Sequence, residues 1–380
     1  MGSIVVIMRR VILLVLDGCG AGAAPDVALF GDGPEVSTLK NVWDHVGGFV
    51  APNLARTGFL QAAGIPMDAS DGRFGRLQEV SMGKDSVTGH WEMMGIRSLQ
   101  PFPTYPDGFP EDLLTPFREK IGREVIGNKP ASGTAIISEL GEEHMATGKP
   151  IVYTSADSVF QIAAHEEVIP ISELYRMCEV ARELCVAPHN VQRVIARPFV
   201  GQPGAFSRTE RRKDYPLVAA ENLVDQLGDV FGIGVVPELF GGRGFRPVRR
   251  TQNNAEHALM LQEALASDAK FIFANFEDFD MLYGHRSDPV GFAKCLEGFD
   301  AVLAGLLRDL REEDLLILTA DHGNDPTDAS TDHTREYVPV ALVGKGVQAG
   351  SFGDVVGMDH IGATVAAWLG EDAGFAKSLL

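Results

Sequence analysis

At 380 residues the chain is too long for one ordinary core and long enough for two domains or a core with an insertion. With 45% hydrophobic and 22% charged residues it has the composition of a folded protein, not a disordered one. A formal charge of −19 sets the mean field against nucleic acid and anionic membranes, so an anionic substrate must be met by metal ions or clustered arginines. Cys19, Cys178, Cys185 and Cys295 form no CxxC pair or zinc-knuckle spacing, which fits a reducing cytoplasm; Cys178 and Cys185 read as core thiols on one helix face.

Arginines precede an apolar run at residues 11–16, the outline of a secretory signal. The run is shorter than the roughly 7–15 residues of a signal core, and Asp17 ends it at once, so it reads as a strand of a cytoplasmic protein. Nothing approaches the ~20 apolar residues of a membrane span. From residue 99 the texture changes: prolines crowd 101–110, glycines crowd 127–148, and strand-like runs follow at 151–154 and 191–196. Residues 99–215 therefore read as an inserted α+β cap domain, and residues 1–98 with 216–380 as the core it interrupts. Further on, residues 254–265 pattern as a helix opened by asparagine, and 271–276 as a strand. Phe292, Leu296, Phe299, Leu303 and Leu306 recur at three- and four-residue steps in a helix over 289–310. Strands follow at 315–319 and 338–343, and a last helix at 361–369 closes at Gly370. Continuous apolar runs imply strands buried on both faces, so the expected class is α/β, with a mostly parallel sheet flanked by helices.

Ligands of open α/β sheets collect outside the carboxyl ends of the strands. Asp17 follows the first strand, in VLDGCG; Asp280 and His285 follow the strand at 271–276, in DFDMLYGHRSDP. Asp321 and His322 follow the strand at 315–319, in TADHGNDP, and His333 comes soon after, in TDHTRE. A lone aspartate after a strand is usually a cap or turn former, and a lone histidine is usually structural. Three carboxylates and three imidazoles placed at one sheet edge call for another account. Mixed oxygen and nitrogen donors suit zinc or manganese, and six of them suit two ions.

In MGKDSVTGHWEMMG, Ser86 stands between Gly83 and Gly89, after Lys84 and Asp85 and before Thr88, His90 and Glu92. Taken alone this is a glycine-bounded loop holding a serine. Beside a metal pair, coordination would activate the weakly nucleophilic hydroxyl for in-line phosphoryl transfer. Arg193, Arg197, Arg208, Arg211, Arg212 and Lys213 form a basic cluster in an acidic chain, either a solvated face or a phosphate site.

DGCGAGAAPD, GKDSVTGHWEMMG, GNKPASGT, IVYTSADSVFQIAAHEE, VIARPFVGQPGAFSR, DFDMLYGHRSDP, TADHGNDP with TDHTREYVP, and IGATVAAWLG together resemble the phosphopentomutases of the alkaline phosphatase superfamily, in order and over nearly the whole chain. The resemblance implies an alkaline-phosphatase-like core holding two divalent metal ions, most often Mn2+, and a cap that encloses the substrate. It implies that Asp17, Asp321 and His322 hold one ion with the Ser86 oxygen, and that Asp280, His285 and His333 hold the other. It also implies a small-molecule sugar phosphate as substrate, with pentose 1-phosphate and pentose 5-phosphate interconverted through a phosphorylated Ser86 and a sugar bisphosphate that doubles as activator. Arg197 and Arg208 are then phosphate ligands, and Ser155 and Asp157 neighbours of the sugar. Neither nucleic acid nor membrane is an expected partner, and the oligomeric state is open.

Two positions depart from the family pattern. Ser86 stands where these mutases carry threonine, which preserves the hydroxyl, and Val235 in FGIGVV stands where a lysine is expected. Both keep open a metal-dependent phosphatase or phosphodiesterase, or a mutase for another sugar phosphate. A catalytically silent binding protein is disfavoured, since all six donors and the hydroxyl are present.

Overall fold

The computed structural model describes residues 9–67, 71–155 and 158–380. Backbone contacts divide the chain into two units, residues 1–100 with 219–380, and residues 101–218. Numbered along the chain, the larger unit holds β1 (Arg10–Leu16), β2 (Arg73–Gln78), β9 (Phe231–Ile233), β10 (Phe271–Phe276), β11 (Asp314–Thr319), β12 (Val338–Gly344) and β13 (Gly350–Val356). The smaller unit holds β3 (Ile126–Pro130), β4 (Ile151–Thr154), β5 (Val159–His165), β6 (Arg193–Val200), β7 (Ser207–Arg208) and β8 (Lys213–Pro216).

The strands of the larger unit form one sheet in the order β13-β2-β12-β11-β1-β10-β9. All run in one direction except β12, which is antiparallel to β11 and β2. The class is therefore α/β with a mostly parallel sheet. The run at 338–343, as apolar as that of β11, proves to be the reversed strand; burial follows from lying inside the sheet, not from direction. Every residue of β1, β10 and β11 is buried, as their unbroken apolar runs require.

Helices cover this sheet. Asn254–Ala266 packs on β10, with the Asn253 side chain accepting the Glu256 N–H as its cap. In Pro289–Asp309, capped by Asp288, Phe299 meets Phe276 of β10 edge-on at 4.9 Å between ring centres. His360–Leu369 lies on β1 and ends at Gly370 in the left-handed region.

In the smaller unit the sheet order is β3-β4-β5-β6-β7, with β8 also on β6, and parallel and antiparallel pairs mix. Its middle strand, β5, was not among the sequence-based expectations. One cluster joins Leu113 and Phe117 of the helix Glu111–Ile121 and Met177 of Ile171–Leu184 to Phe160; a second joins Ile136 of Gly133–Thr147 to Tyr153 and Phe199. Cys178 lies in this core, and Cys185 just past the helix end, where burial pushes its thiol up to about 12. All four cysteines are free.

At the amino-terminal edge of the main sheet, Arg10 and Asp314 face each other in register and are fully buried. Arg10 donates from Nε to Asp314 Oδ1 at 3.0 Å and from Nη2 to Oδ2 at 2.6 Å. Arg311 reaches the same carboxylate from the surface. Removing one partner of a buried pair leaves an uncompensated charge, so Arg10→Met should cost about 3 kcal/mol in urea unfolding, the lower end of the usual range because Arg311 remains. The double variant R10M/D314L should recover most of that loss.

Candidate metal centre and nucleophile

Because β10, β1 and β11 are adjacent and parallel, their carboxyl ends open on one edge. Asp17 is the residue after β1. After β10 the chain makes a π-helical turn, Phe279–Tyr283, and a 3-10 turn, Gly284–Arg286, which carry Asp280 and His285. Such π turns often mark functional sites. Asp321 and His322 follow β11, and His333 returns on a loop pinned by a bridge between Gly323 and Thr334.

These six side chains converge. His322 Nε2 lies 3.3 Å from Asp17 Oδ1 and 3.5 Å from Asp321 Oδ2. Asp280 lies 3.1 Å from His285 Nε2 and 3.3 Å from His333 Nε2, and those two nitrogens are 3.1 Å apart. The expected grouping puts His322 with Asp17 and Asp321 alone; in the structure it falls within reach of Asp280 and His333 as well, with its ring stacked 3.9 Å from that of His333.

Several features fit divalent cations. Donors on one ion, held by bonds of about 2.1 Å, sit about 3.4 Å apart in a tetrahedral shell, which is the spacing found here. His285 donates from Nδ1 to the Thr331 carbonyl at 2.6 Å, and His322 from Nδ1 to the Gly323 carbonyl at 3.1 Å. Both therefore keep Nε2 as the inward-facing donor, the usual arrangement for a metal-ligating histidine. Asp17 Oδ1 and Asp321 Oδ2 are buried without a hydrogen-bond donor among the described residues. Burial, and then the charges of Asp321 and Asp280, push the Asp17 carboxyl well above the usual range. Burial also opposes the charge on Asp280, but hydrogen bonds from His285 and His333 prevail and hold it well below the usual range. In turn the bond to Asp280 pushes His285 up to about 9. A buried carboxylate cluster of this kind demands positive charge.

Ser86 begins the helix Ser86–Met93, whose cap is Asp85: its carboxylate accepts the Val87 and Thr88 N–H groups. Ser86 Oγ lies 3.1 Å from His322 Nε2, so the hydroxyl faces the cluster. Gly89 permits this approach, since a Cβ there would come within 2.3 Å of the Asp321 carbonyl oxygen.

Sequence reasoning gave no role to several residues that hold the site. His90 donates from Nδ1 to the Ser86 carbonyl at 2.8 Å and lies 3.4 Å from Asp321 Oδ2. Arg335, buried against the Phe30 ring, pairs with Glu79 and Asp26 and donates to the carbonyls of Ser81 and Gly83, fixing the loop that leads to Ser86. The Glu336 carboxylate accepts from Gly22, Thr38 and Thr334. Asn275 and Asn324 donate to Asp17 and Asp280. TDHTREYVP contained the signal for Arg335 and Glu336, two charges ahead of a strand, but all their partners except Thr334 are more than 250 positions away.

The remaining site expectations fall in the smaller unit. Arg197 stands on β6 and donates from Nε to Gln161 Oε1 at 3.1 Å; burial, then the charges of Arg212 and Arg208, push its pKa down. Arg208 ends β7 and is exposed. Neither has an acidic partner within ion-pair distance among the described residues, whereas Arg211 pairs with Glu166 and Arg212 with Asp214. Ser155 follows β4, and Asp157 lies outside the described residues. Val235, in the larger unit, lies just past β9 and donates its N–H to Glu277.

Gly89→Ala should push the helix away from Asp321 and displace Ser86 from the cluster. Turnover should fall by about 10²-fold while circular dichroism reports an intact fold, the loss expected for a shift of order 1 Å at a reacting group.

A family model described as the metalloenzyme superfamily matches residues 9–373. A phosphopentomutase of Carboxydothermus hydrogenoformans is 49% identical, with 98% of this chain and 97% of the relative covered. One of Dictyoglomus thermophilum is 52% identical, with 88% of each chain covered. Among solved structures, the PH0037 protein from Pyrococcus horikoshii shares the fold at a TM-score of 0.53 with 16% identity, covering 98% of this chain and 100% of that one. With this identity over nearly its full length, the chain belongs to the phosphopentomutase family of the metalloenzyme superfamily and is an isomerase of the phosphomutase type.

Proposed function

We propose that this chain interconverts the 1-phosphate and 5-phosphate of ribose or deoxyribose through a phosphorylated Ser86 and a sugar bisphosphate. The observation that carries the reading is the Ser86 hydroxyl set against His322 at the mouth of a buried carboxylate and imidazole cluster. Asp17, Asp321 and His322, with Ser86 Oγ, would hold one divalent ion, and Asp280, His285 and His333 the other, Mn2+ being the ion the family resemblance favours. When bound, such ions supply Lewis-acid stabilisation of the charge that develops on the transferring phosphoryl group, and they favour the ionised hydroxyl.

The chain's own residues then perform the exchange. Ser86, at the first helical position, presents its oxygen at the positive end of the helix dipole, which favours a phosphoryl group there. Phosphorylated Ser86 gives its phosphoryl group to the free hydroxyl of a pentose monophosphate, and Ser86 Oγ later accepts the other phosphoryl group of the bisphosphate. A sugar bisphosphate supplied from outside would prime the unphosphorylated enzyme. His90, bonded to the Ser86 carbonyl, keeps the first helical turn in place during both transfers. Arg197 and Arg208 would hold the non-reacting phosphate, and Ser155 and Asp157 the sugar. Four free thiols accord with a reducing cytoplasm, and no helix among the described residues is long and apolar enough to cross a membrane.

The assay is direct. Mn2+-loaded protein, primed with a sugar bisphosphate and given ribose 5-phosphate, should accumulate ribose 1-phosphate; release of inorganic phosphate instead would make it a phosphatase. Ser86→Ala should lower turnover by at least about 10³-fold, in proportion to the loss of a nucleophile, with metal content unchanged within error. Ser86→Thr should keep activity within about tenfold of the parent, since it retains the hydroxyl. A fully active alanine variant would move the nucleophile elsewhere, to Thr88 first.

A further inference from the structure

Two buried carboxamides stand behind the carboxylates of the cluster in the same way. Asn275, on β10 beside Val15 of β1, donates from Nδ2 to Asp17 Oδ2 at 2.6 Å. Asn324, two residues past His322, donates from Nδ2 to Asp280 Oδ1 at 2.6 Å. Both are fully buried, and the carbonyl oxygen of each has no donor among the described residues. A buried acceptor without a donor is a stability cost that folds ordinarily avoid. That it occurs twice at one sheet edge, each time with the amide hydrogen on a carboxylate of the cluster, points to a purpose beyond packing.

The chemistry of the amide explains the choice. A lysine or arginine in either place would also orient the carboxylate, but its charge would neutralise the anion that the cation needs. The carboxamide fixes the orientation and leaves the full negative charge. At Asp17 the tied oxygen is Oδ2, and the untied Oδ1 is the one 3.3 Å from His322 Nε2. At Asp280 the untied Oδ2 faces His285 Nε2 at 3.1 Å, while the tied Oδ1 lies 3.3 Å from His333 Nε2. Asn324 itself has little freedom: its N–H is bonded to Gly18 O, and Gly18, at φ +72°, leaves room where a Cβ would come within 3.1 Å of Asn324 Cβ and 3.2 Å of Asp280 Oδ1.

Building on the two-ion reading above, we propose that Asn275 and Asn324 are positioning residues that each set the carboxylate of one ion: Asn275 through Asp17, and Asn324 through Asp280. The test measures Mn2+ stoichiometry and affinity by titration against a chelator, together with melting of the metal-free protein, for the parent, N275L and N324L. The parent should bind two ions. Each variant should keep one ion at parental affinity and bind the other about 10–100-fold more weakly, the usual consequence of losing an outer-shell partner. Anomalous diffraction should place the ion lost in N275L among Asp17, Asp321 and His322, and the ion lost in N324L among Asp280, His285 and His333. Unchanged affinity for both ions overturns the proposal. So does equal weakening of both ions with a collapse in metal-free melting temperature, which is the signature of a structural role. Where a leucine variant fails to fold, the alanine variant carries the same expectation, and failure of both makes the amide structural and overturns the assignment. A parent protein that binds fewer than two ions would instead remove the two-ion reading itself.

Discussion

Three carboxylates buried at one sheet edge, two of which raise the cost of ionising the third, Asp17, form the constraint around which the larger unit is organised. The strands beneath supply no cation at this edge: β1, β10 and β11 are buried on both faces and apolar apart from Asn275, Thr319 and the Arg10–Asp314 pair at their other end. Relief must come from cations brought to the edge, and three histidines supply the neutral donors that would complete their shells. Parallel pairing of these strands makes the convergence unavoidable. Once three neighbouring strands run together, the residue after each carboxyl end must share the same edge with the others.

The second requirement is that a nucleophile reach that edge without disturbing it. The chain meets it with a short helix whose first residue is Ser86, capped by Asp85 and brought against Asp321 at Gly89. The loop ahead of the helix is held by Arg335, whose guanidinium is shared between two carboxylates and several carbonyls. Arg335 and Glu336 lie on the same chain return that delivers His333, so one segment both contributes a candidate ligand and anchors the loops around it. Local order at the site thus rests on buried ionic and hydrogen-bonded groups, while the sheet beneath rests on apolar burial.

The smaller unit follows a different logic. Its mixed sheet is sandwiched between helices by two apolar clusters, and its surface carries a set of arginines in an otherwise acidic chain. Arg211 pairs with Glu166, Arg212 and Arg193 with Asp214, and Lys213 lies over the rings of Tyr175 and Tyr215, whereas Arg197 and Arg208 have no acidic partner among the described residues.

Much of this was legible in the chain itself. Unbroken apolar runs identified the central strands and helical periodicity the flanking helices, and the acidic and histidine residues after those strands marked the six side chains that the fold brings together beside Ser86, because strand ends and their chemistry are local in sequence. What tertiary structure alone decided was everything that depends on distant pairing. It reversed β12, whose run is as apolar as that of β11 beside it, and it put His322 within reach of both halves of the cluster. It also gave roles to Asn275, Asn324, His90, Arg335 and Glu336, most of whose partners lie far along the chain. Composition and periodicity report how a segment is buried; only the packed fold determines which buried polar group meets which, since those contacts are fixed by strand order and loop return.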